Sequence, residues 1–208
     1  MSSRVDIKYK NGENIYFTSD THFGHEGIIN FCDRPFASIE DMDEALISNW
    51  NEKVPEDGIV FHLGDFAWGG APKYKEYLSR LNGEIILIRG NHDMRNCPIS
   101  KMQDEGMFKL AVHQLLIEIE GRKIYLNHLP FLCYGGTYRN FSTYVFQLFG
   151  HVHSGPNQKG LDIDRLSMLF PTQYDVGVDN NNYTPISWNE VNNKILSQLL
   201  NANAGKQI

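Results

Sequence analysis

Five histidines, His22, His92, His128, His151 and His153, stand in short polar strings with Asp20, Asp65 and Asn91. The strings read Thr18-Ser19-Asp20-Thr21-His22, His62-Leu63-Gly64-Asp65, Arg89-Gly90-Asn91-His92-Asp93, Asn127-His128 and Gly150-His151-Val152-His153. Carboxylate, imidazole and amide oxygen are hard-to-borderline donors, a set that suits Mn²⁺, Fe, Zn²⁺ or Ni²⁺. The thiolates of a closed structural zinc site are missing, because Cys32, Cys97 and Cys133 have no C-x-x-C spacing. The donor chemistry therefore points to an open, catalytic metal site. Other site types leave no trace: there is no G-x-S-x-G, H-E-x-x-H, Walker A or G-x-G-x-x-G string.

Each string follows an apolar stretch, at the carboxyl edge where open α/β sheets carry their ligands. Strands are expected at Ile15 to Phe17, Ile59 to Phe61, Ile85 to Ile88, Val145 to Phe149 and Tyr174 to Val178. Leu115 to Glu120, Gly121 and Lys123 to Asn127 read as an antiparallel pair around a turn. Ser38 with Asp41 predicts the start of a helix over Ile39 to Asn51, whose Met42, Leu46 and Trp50 form one apolar face. A short helix is expected near Lys73 to Leu81, and Ser187 with Glu190 predicts the start of a last one. The expected organisation is one domain over residues 1–200, with a disordered tail from 201 to 208.

The chain has 208 residues, of which 41% are hydrophobic and 21% charged, so it can bury a core and is not a disordered segment. A net charge of −6 provides no general positive field for a long nucleic acid. No apolar run approaches the ~18 residues of a membrane span, and Met1-Ser2-Ser3-Arg4 leads straight to charged Asp6 and Lys8. With an odd cysteine count, these features suit a reducing cytoplasm.

In order and context the strings resemble the calcineurin-like metallophosphoesterases, whose pattern is D-x-H, G-D, G-N-H-[DE], H and G-H-x-H. All five elements are present from Asp20 to His153, and the stretch Asp175 to Asp179 is similar to the family's terminal strand. The resemblance implies an α/β fold, a four-layer α/β/β/α sandwich of two mixed sheets with outer helices. It implies that Asp20, His22, Asp65 and His153 hold one divalent metal and that Asp65, Asn91, His128 and His151 hold the other, with Asp65 bridging. Two metal ions, most readily Mn²⁺, would then hold a bridging hydroxide as nucleophile, and His92 would be the general acid for the leaving oxygen.

Protein serine/threonine phosphatases extend the second element to G-D-x-x-D-R-G, whereas this chain reads Gly64-Asp65-Phe66-Ala67-Trp68-Gly69-Gly70. The Asp that would orient His92 is thus missing. DNA-repair nucleases of the superfamily carry extra domains that this chain has no room for. The expected substrate is a small phosphorylated molecule of nucleotide size, a phosphodiester or phosphomonoester. His25, beside the first metal position, and Arg34, Arg95, Arg139 and Arg165, whose guanidinium groups match phosphate bidentately, are candidates for contacting it. The aromatic run Phe131, Tyr134, Tyr138, Phe141, Tyr144 and Phe146 either stacks a base or packs the core. His62 and His113, beside apolar strands, read as structural. Two other functions fit the same residues, a metal-holding interaction module and a short-oligonucleotide nuclease.

Overall fold

The computed structural model describes residues 6–132, 145–155 and 163–204. Ten strands form two five-stranded mixed sheets. The first comprises β1 (Ile7–Tyr9), β6 (Gln114–Ile119), β7 (Arg122–Asn127), β8 (Phe146–Phe149) and β9 (Gln173–Asp175), in that spatial order. The second runs β10 (Ile186–Ser187), β2 (Ile15–Thr18), β3 (Ile59–His62), β4 (Glu84–Ile88) and β5 (Leu110–Val112). Strands β2 to β5 are parallel, as are β7, β8 and β9, so two sets of carboxyl ends are available to carry ligands.

The strands of the second sheet are short apolar runs because both faces are covered. One face meets the first sheet: Phe17, Phe61, Ile86 and Ile88 share a core with Ile117, Ile124, Leu126 and Leu148. Phe17 and Phe61 are paired in register across β2 and β3, and their rings stack at 5.5 Å. The other face packs Val60, Ile85 and Leu87 against helices, with Met42, Leu46 and Trp50 of α2 (Ile39–Lys53) and Tyr74 and Tyr77 of α3 (Gly70–Leu78) in one cluster.

The helices are shared unequally between the sheets. A six-residue α1 (Glu26–Phe31), not expected from the sequence, adds Ile28 to the second sheet's outer cluster. A short helix α5 (Ile99–Asp104) precedes β5, and the last helix, α6 (Trp188–Ala204), packs Val191, Ile195 and Leu199 into the core between the sheets. Polar Lys8, Glu118 and Lys123 mark the other sheet's outer face, where Lys8 pairs with Glu118 at 3.1 Å.

Local signals explain the boundaries. Ser38 accepts from the Asp41 N–H at 3.1 Å, and α2 runs two residues beyond Asn51 because the helical bond from Val54 N–H to Trp50 O still forms before Pro55. Helix α3 begins at Gly70, three residues early, after the left-handed Gly69. The β6–β7 hairpin turns at Glu120 and Gly121, both at positive φ, as a two-residue loop needs. Ser187 N–H donates to Glu190 and the Glu190 N–H returns to Ser187 Oγ, the expected capping box. Helix α6 corrects the expected tail, since it continues past Asn201 to Ala204. The last expected strand stops at Asp175, and Val178–Asn180 turns into a 3₁₀ helix.

Candidate metal centre

All the polar strings leave carboxyl ends of parallel strands, and the two sheets bring those ends together. Asp20 follows β2, Asp65 follows β3, and Asn91 and His92 open the short helix α4 (Asn91–Asn96) after β4. From the other sheet, His128 follows β7, while His151 and His153 follow β8. Cross-links fix the junction: Ser19 bridges Gly177, and Asp20 Oδ2 accepts from His151 N–H at 2.9 Å. The chain turns so tightly there that Asp20, His22, Asp65, His151 and His153 all adopt positive φ, from 47° to 70°. Such backbone costs about 1–3 kcal/mol per residue and concentrates at functional sites. Two glycines permit the crowding. A Cβ on Gly64, itself at φ 103°, would lie 2.6 Å from Gly90 N, and one on Gly90 would lie 2.2 Å from Asp65 Oδ1.

The donors form two groups able to hold a metal, Asp20 with His22 and His153, and Asp65 with His128 and His151. In the first, Asp20 Oδ1 lies 3.9 Å from His22 Nε2 and 3.8 Å from His153 Nε2. In the second, His128 Nε2 lies 3.2 Å from His151 Nδ1, and Asn91 Oδ1 is 3.1 and 3.0 Å from those two nitrogens. Asp65 Oδ2 stands between the groups, 3.7 Å from His22 Nε2 and 3.4 Å from His128 Nε2. These separations match the donor–donor edges around an ion with bonds of about 2.1 Å. Asp20 Oδ1 and His22 Nε2 are buried without a hydrogen-bond partner among the described residues, a costly arrangement unless a cation occupies the space between donors. Burial, then the neighbouring His153, holds the His22 imidazole well below its usual pKa, which keeps its lone pair free.

A second ring of contacts orients these donors. His128 directs Nδ1 to Leu63 O at 2.7 Å, leaving Nε2 as the ligand nitrogen. His153 Nδ1 meets Asp179 Oδ2 at 2.8 Å, and Arg34 grips both oxygens of Asp179 at 2.9 Å. Cys32 stands within the same small group as His153 and Asp179. Asp93 accepts from the N–H groups of Asp65, Phe66 and Gly90 and from Tyr74 Oη, and so ties the β3 loop to the β4 loop. Asp175 accepts from Ser154 and Gly177, and burial pushes its carboxyl up to about 6.

The remaining sequence candidates divide. Arg34, expected as a phosphate clamp, is corrected by its surroundings. Its guanidinium is buried beneath the first group, bonded to Asp179 and to the carbonyls of Asp20 and Thr21, and does not face a substrate. Arg95 is exposed on α4, three residues after His92. Arg139, Cys133, Tyr134, Tyr138, Phe141, Tyr144 and the side chain of Arg165 lie outside the described residues. So do residues 156–162 of the long connection between 154 and 173, whose later part includes a 3₁₀ helix at Ile163–Met168. Phe146 is core, whereas Phe131 lines an apolar cavity of about 420 Å³ with Leu129, Leu132, Met168 and Leu169, reaching His151. His62 is structural as expected: buried between Thr21 Oγ1 at 3.0 Å and the Gly64 N–H at 3.2 Å. His113 is exposed, and its carbonyl accepts from Asn127.

His92 Nε2 lies 4.0 Å from Asp65 Oδ2, beside both donor groups, and its backbone N–H donates to Asp65 Oδ1 at 2.9 Å. Its Nδ1 is buried with no hydrogen-bond partner among the described residues. Rings flank it instead. His22 meets His92 edge-on at 5.0 Å, and Trp68 and His25 lie at 5.7 and 5.9 Å. Three contributors were not legible as site residues. Asp93 fills the last position of the G-N-H-[DE] string and Asp179 ends the stretch similar to the family's terminal strand, but neither position names the contacts it makes, and the signal for Trp68 is a large aromatic inside a glycine-rich loop.

Two adjacent groups of oxygen and imidazole donors, at the junction of two mixed sheets, define a metal-dependent hydrolase centre. The comparisons make this specific: residues 13–200 match the calcineurin-like phosphoesterase family, and the chain belongs to it. It is a metal-dependent phosphoesterase. Among its relatives, protein MJ1445 of Methanocaldococcus jannaschii, itself uncharacterized, is 36% identical over 83% of this chain and 86% of its own. The gene 66 protein of Mycobacterium phage D29 is 29% identical, over 80% of this chain and 88% of its own. A solved structure of similar fold, the protein of unknown function AQ665 from Aquifex aeolicus, has a TM-score of 0.62. It is 27% identical and aligns over 86% of this chain and 97% of its own. None of the helices among the described residues is long and apolar enough to cross a membrane.

Proposed function

We propose that this phosphoesterase uses a dinuclear metal centre, with Mn²⁺ as the best-suited ion, to hydrolyse a small nucleotide-like phosphoester. The observation that carries the reading is the position of Asp65 Oδ2, 3.7 Å from one group's His22 and 3.4 Å from the other's His128. A single carboxylate oxygen shared in this way suits two cations that would otherwise repel. Asp20, His22, Asp65 and His153 would hold one ion, and Asp65, Asn91, His128 and His151 the other. When bound, such ions supply Lewis acidity toward phosphate oxygens and an acidified water.

The chain's own residues do the rest. His92 has an Nε2 on the open side of the donors, 28% of its side chain exposed, and delivers its proton to the departing ester oxygen. The apolar cavity beside His151 receives an organic part of the substrate. The net charge of −6 argues against a long nucleic acid as substrate, and the free Cys32 and Cys97 favour a reducing cytoplasm.

The test is hydrolysis of bis(4-nitrophenyl) phosphate and 4-nitrophenyl phosphate by chelated protein reloaded with Mn²⁺. Turnover that returns with the metal supports the reading. Silence on both esters, in protein carrying two metal equivalents, counts against it and favours a metal-holding interaction module.

A further inference from the structure

Trp68 stands open to solvent beside the proposed acid. It is 42% exposed, whereas Trp50 and Trp188 are each 1% exposed. A single exposed apolar residue is ordinary, and what sets Trp68 apart is its ring contact with His25 and His92. The loop that carries it is pinned: Trp68 N–H donates to Phe23 O at 2.8 Å, Ala67 bridges Phe23, and left-handed Gly69 and Gly70 lead directly into α3.

Rings converge on this indole from the metal side. The His25 imidazole stacks on it, with centroids 4.7 Å apart and planes 27° apart. His92 is inclined to it at 5.7 Å, and His22, a candidate ligand, lies 5.5 Å from His25. His25 keeps a buried Nδ1 that finds no hydrogen-bond partner among the described residues, so the fold draws no polar bond from that atom. A flat, rigid aromatic surface therefore begins one ring-width from the atom that protonates the leaving oxygen.

We infer that Trp68, backed by His25, is a stacking platform for a flat ring carried by the leaving group of the substrate, a nucleobase. The inference rests on the phosphoesterase reading only in assigning the leaving side. The group that departs is the one whose oxygen His92 protonates, so it extends from the phosphorus past His92 toward the exposed indole beside it, Trp68 at 5.7 Å, since the nearer ring, His22 at 5.0 Å, is buried. A base has a π-face of matching size, and stacking of this kind tolerates any base. The apolar cavity near His151 belongs to the other candidate metal group and leaves this surface free for the departing arm.

The experiment is equilibrium binding to Mn²⁺-loaded protein, with adenosine 5′-monophosphate and ribose 5-phosphate as probes differing only in the base. Wild type should bind the nucleotide about tenfold more tightly and show quenched tryptophan fluorescence with it alone. Trp68→Leu should lose the quenching and the preference, its affinity for the nucleotide falling to that for ribose 5-phosphate. Trp68→Phe should keep most of the preference. Equal binding of the two probes by wild type overturns the platform, as does a preference that survives in Trp68→Leu. If a variant fails to fold, the wild-type comparison decides alone. Base-dependent binding without hydrolysis would remove the enzyme reading and leave the stack, and hydrolysis without base preference would do the reverse.

Discussion

His153 divides its two ring nitrogens between partners: Nδ1 meets Asp179 Oδ2 at 2.8 Å and Nε2 faces Asp20 Oδ1 at 3.8 Å. The carboxylate fixes the tautomer and turns Nε2 toward the space a metal would fill. Arg34 extends the device, because the guanidinium that holds Asp179 also bonds the carbonyls of Asp20 and Thr21 at 2.7 and 3.0 Å. One buried arginine thereby ties the β9 side of the site to the loop carrying two ligands of the same group. Asp179→Asn should weaken Mn²⁺ binding at the first group about 10–100-fold, the usual effect of losing such a partner, and spare the second. Calorimetric titration would resolve one weakened and one unchanged site; two unchanged sites would refute the device.

Asp65→Asn addresses the sharing of one carboxylate. The asparagine can still accept the His92 N–H that Asp65 Oδ1 takes at 2.9 Å, so the loop keeps its geometry. What disappears is the negative charge on the oxygen facing His22 and His128. Metal content by mass spectrometry should fall from two equivalents to fewer than one. Retention of two full equivalents would contradict the bridge.

His92→Ala isolates proton delivery. An alkyl ester, with a poor leaving group, should slow by roughly 10²–10⁴-fold, while a 4-nitrophenyl ester, which needs little protonation, should slow less than tenfold. The comparison is made on kcat at equal metal content, because His92 contacts Asp65 through its backbone as well. Equal losses on both esters would assign His92 to positioning instead.

The parts of this site legible in the sequence are those whose chemistry is carried by residue type. Histidines and carboxylates after apolar runs can be placed at strand ends, since a parallel strand and its polar exit are local features. The place of Arg34 is not legible because its partner, Asp179, is remote in sequence, and only the folded junction of the sheets pairs them at 2.9 Å. The same holds for Asp93, whose four donors come from three separate segments. Helix α1 leaves little local signal for a different reason. It is six residues long, His25 provides no side-chain cap, and its buried Ile28 offers no periodicity to read. The strand order was likewise beyond local pattern, because β1 pairs with β6 across more than a hundred residues.

His62 predicts how the fold responds to acid. Thr21 Oγ1 donates to Phe66 O at 2.7 Å, so it can only accept from His62 Nε2–H, and His62 Nδ1 in turn accepts the Gly64 N–H. Both ring nitrogens are thus committed in the neutral form. Burial depresses the imidazole pKa to about 3, so the unfolded chain binds a proton that the native protein refuses. The resulting stability is fully present above the unfolded value of about 6.5 and drains away as pH falls toward 3. In chelator, wild type should lose on the order of 2–3 kcal/mol through His62 between pH 7 and 4.5. His62→Gln keeps an N–H for Thr21 and cannot be charged. It should start less stable at pH 7 and lose correspondingly less on acidification, measured as urea midpoints at the two pH values. Parallel losses in both proteins would mean that native His62 takes up its proton as readily as the unfolded chain does, against the hydrogen bonds that surround it.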